Sequence, residues 1–326
     1  MRLLRHLRSA LLLCAAVPIM LRAQPPAPTL PDTADTTAWN RWFAERETAA
    51  PTDARLWIDR FNHLFNRSRQ SLLVLRGTDG TERLPGESDQ VLLLKDSTGR
   101  QAGTLSERIV YDEALLRRAF DAIDRGIALH PDRLDMRLGR AAACRYAARS
   151  PAGQRTSGRY AERWLPMTET LLALIDRAEQ NGGGWLSPEG EPKRVAPAEL
   201  VADYLQDYVN ELFDRAVPEP RNEAAEALER LLLRETAYCP ASSVACNNRA
   251  AWLYGSGEPD AVLEWFIRAS EADPDDPMIR FNIGYLYAAR GDRANARRWW
   301  TALLDTQDAG FREAAAEALE RLEEEE

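Results

Sequence analysis

At 326 residues, 45% of them hydrophobic, the chain is long enough to bury a substantial core, as one elongated array or as two compact domains. Its formal charge of −9, from 51 acidic against 42 basic side chains, leaves no basic stripe of the kind that holds nucleic acid or anionic lipid headgroups. Beyond the N-terminal apolar run, no segment is apolar for the ~20 residues that a spanning helix needs.

Residues 1–23 read as a cleaved secretory signal: a basic start with Arg2, Arg5 and Arg8, an apolar run from Ala10 to Leu21, and a Leu21-Arg22-Ala23 end suited to signal peptidase. A retained membrane anchor is the alternative, disfavoured by Pro18 and by the short apolar run; a lipoprotein reading through Cys14 is disfavoured by Leu13 before it. Cleavage would remove four arginines and no acid, taking the formal charge from −9 to −13, and would place the chain in the periplasm or outside the cell. Residues 24–37, rich in Pro, Thr and Asp, are predicted to be a solvated tether, with folding starting near Ala38.

From Trp39 onward apolar residues recur at helical spacing, as in Trp57, Phe61 and Phe65, and again in Leu116, Phe120, Ile123 and Ile127. Further helices are predicted over 159–180, 198–215, 222–235, 245–255, 259–272, 278–290, 293–305 and 310–323. The chain is therefore expected to be all-α, with one interruption. Val91 to Leu94 and Gly103 to Tyr111 flank an Asp96-Ser97-Thr98-Gly99 turn and predict a β-hairpin near 91–111, inserted in an N-terminal helical half spanning 38–180. Residues 181–197, with three consecutive glycines before Trp185, predict a long loop leading to a C-terminal half, 198–326. Those glycines follow no strand and open no helix, so they are not a dinucleotide cradle.

The C-terminal half repeats on itself at an offset of 34 residues: Asn248 falls on Asn282, Gly257 on Gly291, Glu258 on Asp292, Trp265 on Trp299 and Phe266 on Trp300. Each match has a physical use. Gly-acid pairs make a left-handed corner and place a carboxylate at the positive end of the next helix. Gly284 lets two helices approach closely, with Ala296 as the small residue opposite and Trp299-Trp300 filling space toward the next unit. The run Phe281 to Tyr287, then Gly291-Asp292, Ala296 and Trp299-Trp300, resembles a tetratricopeptide-repeat (TPR) unit; Asn248 to Pro274 is a looser copy, with Ala250 and Val262 in the small-residue positions. Weaker echoes lie at Ala119, Ile123, Gly126 and Pro131, and from Trp42 to Phe65. The last helix suits a solubilising cap.

The resemblance implies a TPR-like α-α superhelix, similar to exported bacterial TPR proteins, whose first helices line a groove for a protein or peptide. Carried onto this sequence, the groove positions are Asn247, Ala251, Phe281, Tyr285 and Ala288. A carboxylate clamp would need Lys and Asn where Phe281 and Tyr285 stand, so an apolar or aromatic contact is expected; either aromatic serves equally as core.

Histidine is scarce, with His63 and His130 beyond the signal, and neither has a neighbour in sequence that suggests a nucleophile or a zinc site. Paired carboxylates abound on acidic helices and single out no acid-base pair. No enzyme, cofactor or metal is predicted. Cys144 sits among alanines as a small core residue, while Cys239 and Cys246 flank a turn and are open to two readings, a disulfide or two free thiols. A second functional reading is glycan or small-solute capture, with Trp185 as the aromatic platform.

Overall fold

The computed structural model describes residues 35–78, 87–149, 164–217, 222–256 and 259–324. The predicted signal, the tether as far as residue 34, and the Gly257-Glu258 corner lie outside the described residues. The chain divides into two compact units, Met1–Glu45 and Arg46–Glu326, and helix α1, Thr36–Ala49, crosses their boundary. In the first unit the Asp35 carboxylate accepts from the Ala38 N–H at 2.8 Å, starting the helix two residues before the predicted position. Trp39, Trp42 and Phe43 then form a cluster of rings with centroids 5.0–5.5 Å apart.

The second unit is mostly helical and begins with a helix hairpin. Helix α2, Ala54–Ser68, is capped by Asp53, and α3, Glu113–Leu129, by Asp112, each through its carboxylate. They pack directly on each other. The contact is close because Gly126 has no side chain: a Cβ there would lie 2.9 Å from Trp57 Cβ.

A sheet is inserted between these two helices. Its strands are β1 (Arg69–Arg76), β2 (Glu87–Lys95) and β3 (Gln101–Tyr111), antiparallel in the order β1-β3-β2. The predicted hairpin is β2-β3, turned by Asp96, whose carboxylate accepts from the N–H groups of Thr98 and Arg100, and by Gly99 at φ +82°. Strand β1 was not foreseen. No Gly or Pro separates it from α2; the helix stops where Arg69 turns extended and Ser68 Oγ bonds back to the Phe65 carbonyl at 2.7 Å. Exposure of Leu72, Leu73, Leu75, Leu92 and Leu93 leaves the sheet largely uncovered.

Helices α4 (Leu134–Ala148) and α5 (Leu165–Gln180) follow. The segment 181–197 is not the open loop expected. Strands β4 (Gly184–Leu186) and β5 (Pro192–Arg194) pair within it, and Leu186 N–H donates to the Asp132 carbonyl at 2.8 Å. Gly183, at φ +77°, makes this possible, since a Cβ would lie 2.3 Å from the Val195 oxygen. Asp132 anchors the other side, bound by Arg177 and by the Asn181 amide at 2.9 Å.

The chain continues through a short α6 (Pro197–Glu199), a π-helical stretch Leu200–Leu205 and α7 (Gln206–Ala216), in the place of the single helix predicted over 198–215. Helices α8 (Glu223–Tyr238), α9 (Ser243–Ser256), α10 (Pro259–Ala272), α11 (Pro277–Ala289), α12 (Arg293–Thr301) and α13 (Ala309–Glu324) match their expected positions within a few residues, except that α12 ends four residues before its predicted limit. From α8 onward each helix packs on the next, and α8 also packs on α5.

Glu235 of α8 is fully buried, and neither carboxyl oxygen has a hydrogen-bond partner among the described residues. Desolvation pushes its pKa up to about 8, so at neutral pH the folded chain holds it protonated. Between the ordinary value of 4.5 and about 8 the unfolded chain releases this proton and the folded chain keeps it, so Glu235 lowers stability progressively as pH rises through that window. Glu235→Gln is therefore expected to melt at a higher temperature than the parent chain at pH 8, with the gap closing toward pH 5. Thermal denaturation of both chains across that range checks it; a gap independent of pH would refute it.

Candidate partner-binding site

The face singled out in the sequence is built from α9 and α11. Helix α11 starts where the Asp276 carboxylate accepts from Met278 N–H at 2.8 Å and Ile279 N–H at 3.2 Å, with Pro277 fixing the first turn. Helix α9 starts after Ser242, whose hydroxyl accepts from Ala245 N–H at 3.2 Å. The starts of α9 and α11, Ser243 and Pro277, lie 34 residues apart, as do those of α10 and α12, Pro259 and Arg293. The α11–α12 corner is made by Gly291 at φ +76° and by Asp292, which accepts from Asn295 N–H at 3.1 Å; hydrogen bonds from the Asn295 side chain and backbone hold the Asp292 carboxyl below its usual range.

Within this pair Gly284 meets the Trp300 indole: a Cβ would lie 2.5 Å from Nε1 and 2.7 Å from Cδ1. The same indole N–H donates to the Phe281 carbonyl at 3.2 Å. Both tryptophans were expected to fill space toward the next unit; Trp300 does so, and Trp299 does not. Trp300 fills the space inside its own helix pair and, through Ala315 and Leu322, reaches the helix that follows, whereas Trp299 packs back on a cluster of Val262 and Phe266 from the preceding unit and Ile283 from its own.

All five predicted groove residues are half-buried. Phe281, Tyr285 and Ala288 pack on the Trp300 cluster, and Phe281 has ring neighbours in Trp300 at 6.0 Å and Phe311 at 6.1 Å, so it is largely a packing residue. Asn247 keeps a buried side-chain oxygen that accepts no hydrogen bond among the described residues. Tyr254 was missed. It is exposed on α9, and partial burial together with the neighbouring Tyr285 phenol on α11 holds its own phenol above the usual range. The signal was present, because Asn247, Ala251 and Tyr254 take the same positions as Phe281, Tyr285 and Ala288 one 34-residue repeat later. Farther along the stack, the Asn248 and Gln206 amides pair across α9 and α7 at 2.8 Å.

The remaining candidates lie apart from any reactive constellation. Trp185, the predicted sugar platform, is 2% exposed, and its indole nitrogen is buried without an acceptor among the described residues, so it presents no face to a glycan. It is core because β4 and β5 fold the glycine-rich segment inward. Burial, with Arg67 and Arg118 nearby, pulls His63 down to about 4, so its imidazole is neutral at physiological pH. His130 Nε2 lies 2.8 Å from the Thr52 carbonyl, tying the end of α3 to the turn before α2 rather than to the last carbonyls of its own helix. Burial pushes the Cys144 thiol up to about 11, which leaves no thiolate for nucleophilic chemistry. Cys239 and Cys246 are free, buried thiols, and Cys246 Sγ contacts the Pro240 carbonyl at 3.5 Å. Among the described residues no group of three His, Cys, Asp or Glu side chains forms a metal-binding cluster.

No protein-family model matches the chain, and no curated protein matches it.

Two substitutions test this geometry. Gly284→Ala is expected to destabilise the chain by about 1–3 kcal/mol through overpacking against Trp300, whereas Gly139→Ala, whose Cβ would meet nothing within 4 Å, should be neutral or stabilising by up to about 1 kcal/mol; urea denaturation distinguishes them. Trp185→Ala is expected to cost about 3–5 kcal/mol in the same measurement, and to leave any sugar-array signal of the parent chain unchanged wherever the variant is still folded.

Proposed function

We propose that this chain is an exported, non-enzymatic helical scaffold of TPR type that binds a protein or peptide across the first-helix face of α9 and α11. The observation that carries this reading is the helix pair repeated at a 34-residue spacing, which sets Tyr254 on one first helix beside Tyr285 on the next. Tyr254 supplies a rigid, exposed amphipathic surface of the kind enriched at interfaces. Export rests on the composition of residues 1–23.

A photo-crosslinking amino acid placed at Tyr254 in the native cell is expected to capture a discrete protein partner, with yield reduced at least about tenfold by Tyr285→Ala, the size expected for an interface anchor. The same probe at Thr98, on the β2-β3 turn, is the control. Equal capture at both positions, or none at Tyr254, would overturn the assignment of this face.

A further inference from the structure

We infer that the outer edge of β1 is a self-association surface, on which two copies of this chain pair antiparallel about Leu73 to join their three-stranded sheets into one of six strands. No strand among the described residues pairs with that edge, and β1 is regular along its whole length, with eight successive partners in β3 and no register shift. Such an edge is a template for another strand unless something covers it. The opposite edge is different. Register shifts between Glu87 and Val91, and between Leu94 and Lys95, interrupt β2 close to both its ends, and bulges of this kind discourage further pairing. One usable edge per copy closes the assembly as a twofold pair instead of propagating a fibre.

Exposure on β1 is that of an interface. Leu72, Leu73 and Leu75 are 46%, 74% and 70% exposed, with Leu73 and Leu75 on one face of the sheet and Leu72 on the other. Together they expose on the order of 350 Å² per copy, of which edge pairing covers the flanks facing the partner strand; with two eight-residue backbones this makes an interface below the roughly 1,200 Å² at which stable complexes begin, in keeping with a concentration-dependent dimer. Pairing about Leu73 sets Leu73 opposite its own copy, Leu72 opposite Val74, Ser71 opposite Leu75, and Gln70 opposite Arg76. No like charges meet. A one-residue slip in either direction turns the leucines of one copy to the other face, and in one direction it also sets Arg69 opposite Arg76, so the pleat selects the register and charge excludes one slip outright. A foreign strand would gain the same backbone bonds, but a second copy brings an apolar centre of matching length, flanked by the arginines that fix the register.

Sedimentation of the full chain over a concentration series tests this. A monomer–dimer equilibrium is expected, and Leu73→Lys, which changes a residue already exposed and should leave the far-UV circular dichroism intact, is expected to raise the dissociation constant at least about tenfold by facing two lysines across the axis. Leu73→Cys reads the register directly. Residues opposite each other in antiparallel strands have Cα atoms about 4.5–5.5 Å apart, within disulfide reach, so this variant should crosslink under oxidised glutathione while Leu75→Cys alone does not. A chain that stays monomeric, open-ended polymers, a dimer indifferent to Leu73→Lys, or a monomer that takes up an extended peptide on β1 would each overturn the proposal. None of these outcomes depends on whether Tyr254 captures a partner.

Discussion

Two helix hairpins far apart in the sequence rest on the same contact, a tryptophan laid against a glycine. Gly126 of α3 lies against Trp57 of α2, and Gly284 of α11 against Trp300 of α12, so close that a Cβ would be 2.9 Å and 2.5 Å from the nearest tryptophan atom. Each indole then spends its N–H on a carbonyl nearby, Trp57 on Pro51 and Trp300 on Phe281, so the buried ring leaves no orphaned donor. A glycine in a helix costs about 1 kcal/mol in propensity, and the contact offsets that cost by letting the Trp300 ring in one hairpin, and the Trp57 Cβ with the Met136 thioether in the other, lie against bare backbone. Once both hairpins are set at this separation, the remaining helices can stack on them.

Polar ties then fix the stack where apolar packing would allow sliding. Glu223 of α8 accepts from the N–H groups of Trp164 and Leu165, so a carboxylate of one helix caps the start of another. Arg234 reaches from α8 to Asp176 at 2.8 Å and Glu179 at 2.6 Å on α5. Glu211 is the most buried of these acids. Burial pushes its carboxyl upward, but the hydrogen bond and charge of Arg149, with Arg215 beside it, outweigh this and leave it below the usual range. Glu235 shows the contrast: deeper still, and shifted by burial alone with no cation to offset it, it stays protonated.

The helices were legible because helical signals are local. Asp276, Pro277, Gly291 and Asp292 mark their boundaries by chemistry that acts within one turn, and the 34-residue offset aligns Ala250 with Gly284 from the sequence alone. What escaped detection depends on partners distant in the chain. Strand β1 exists because the distant strand β3 pairs with it from Arg69↔Tyr111 to Arg76↔Thr104, and nothing within Arg69–Arg76 marks the change from helix to strand. Trp185 read as exposed because glycines and prolines surround it; it is buried because Asp132, over fifty residues earlier, accepts the Leu186 N–H and draws the segment inward. At the candidate site, Asn247 and Tyr285 follow from the repeat, and so does Tyr254, the counterpart one repeat earlier of the groove position Ala288.

The sheet's position shows how a specific surface can be added to a helical scaffold without weakening it. Strand β1 leaves directly from the end of α2 and β3 enters directly into α3, and the base is closed by the Arg69↔Tyr111 pair and by Asp112 N–H donating to the Ser68 carbonyl at 2.7 Å. The carboxylate of Asp112 caps α3 in the same step, so one residue ends the sheet and starts the helix. Both helices therefore keep the Gly126–Trp57 contact however the far end of the sheet varies. That separation lets the leucines of β1 and β2 stay exposed: the hairpin beneath is already stable through its own burial of Leu56, Trp57, Phe61 and Phe120, and it does not need the sheet's apolar surface for its core.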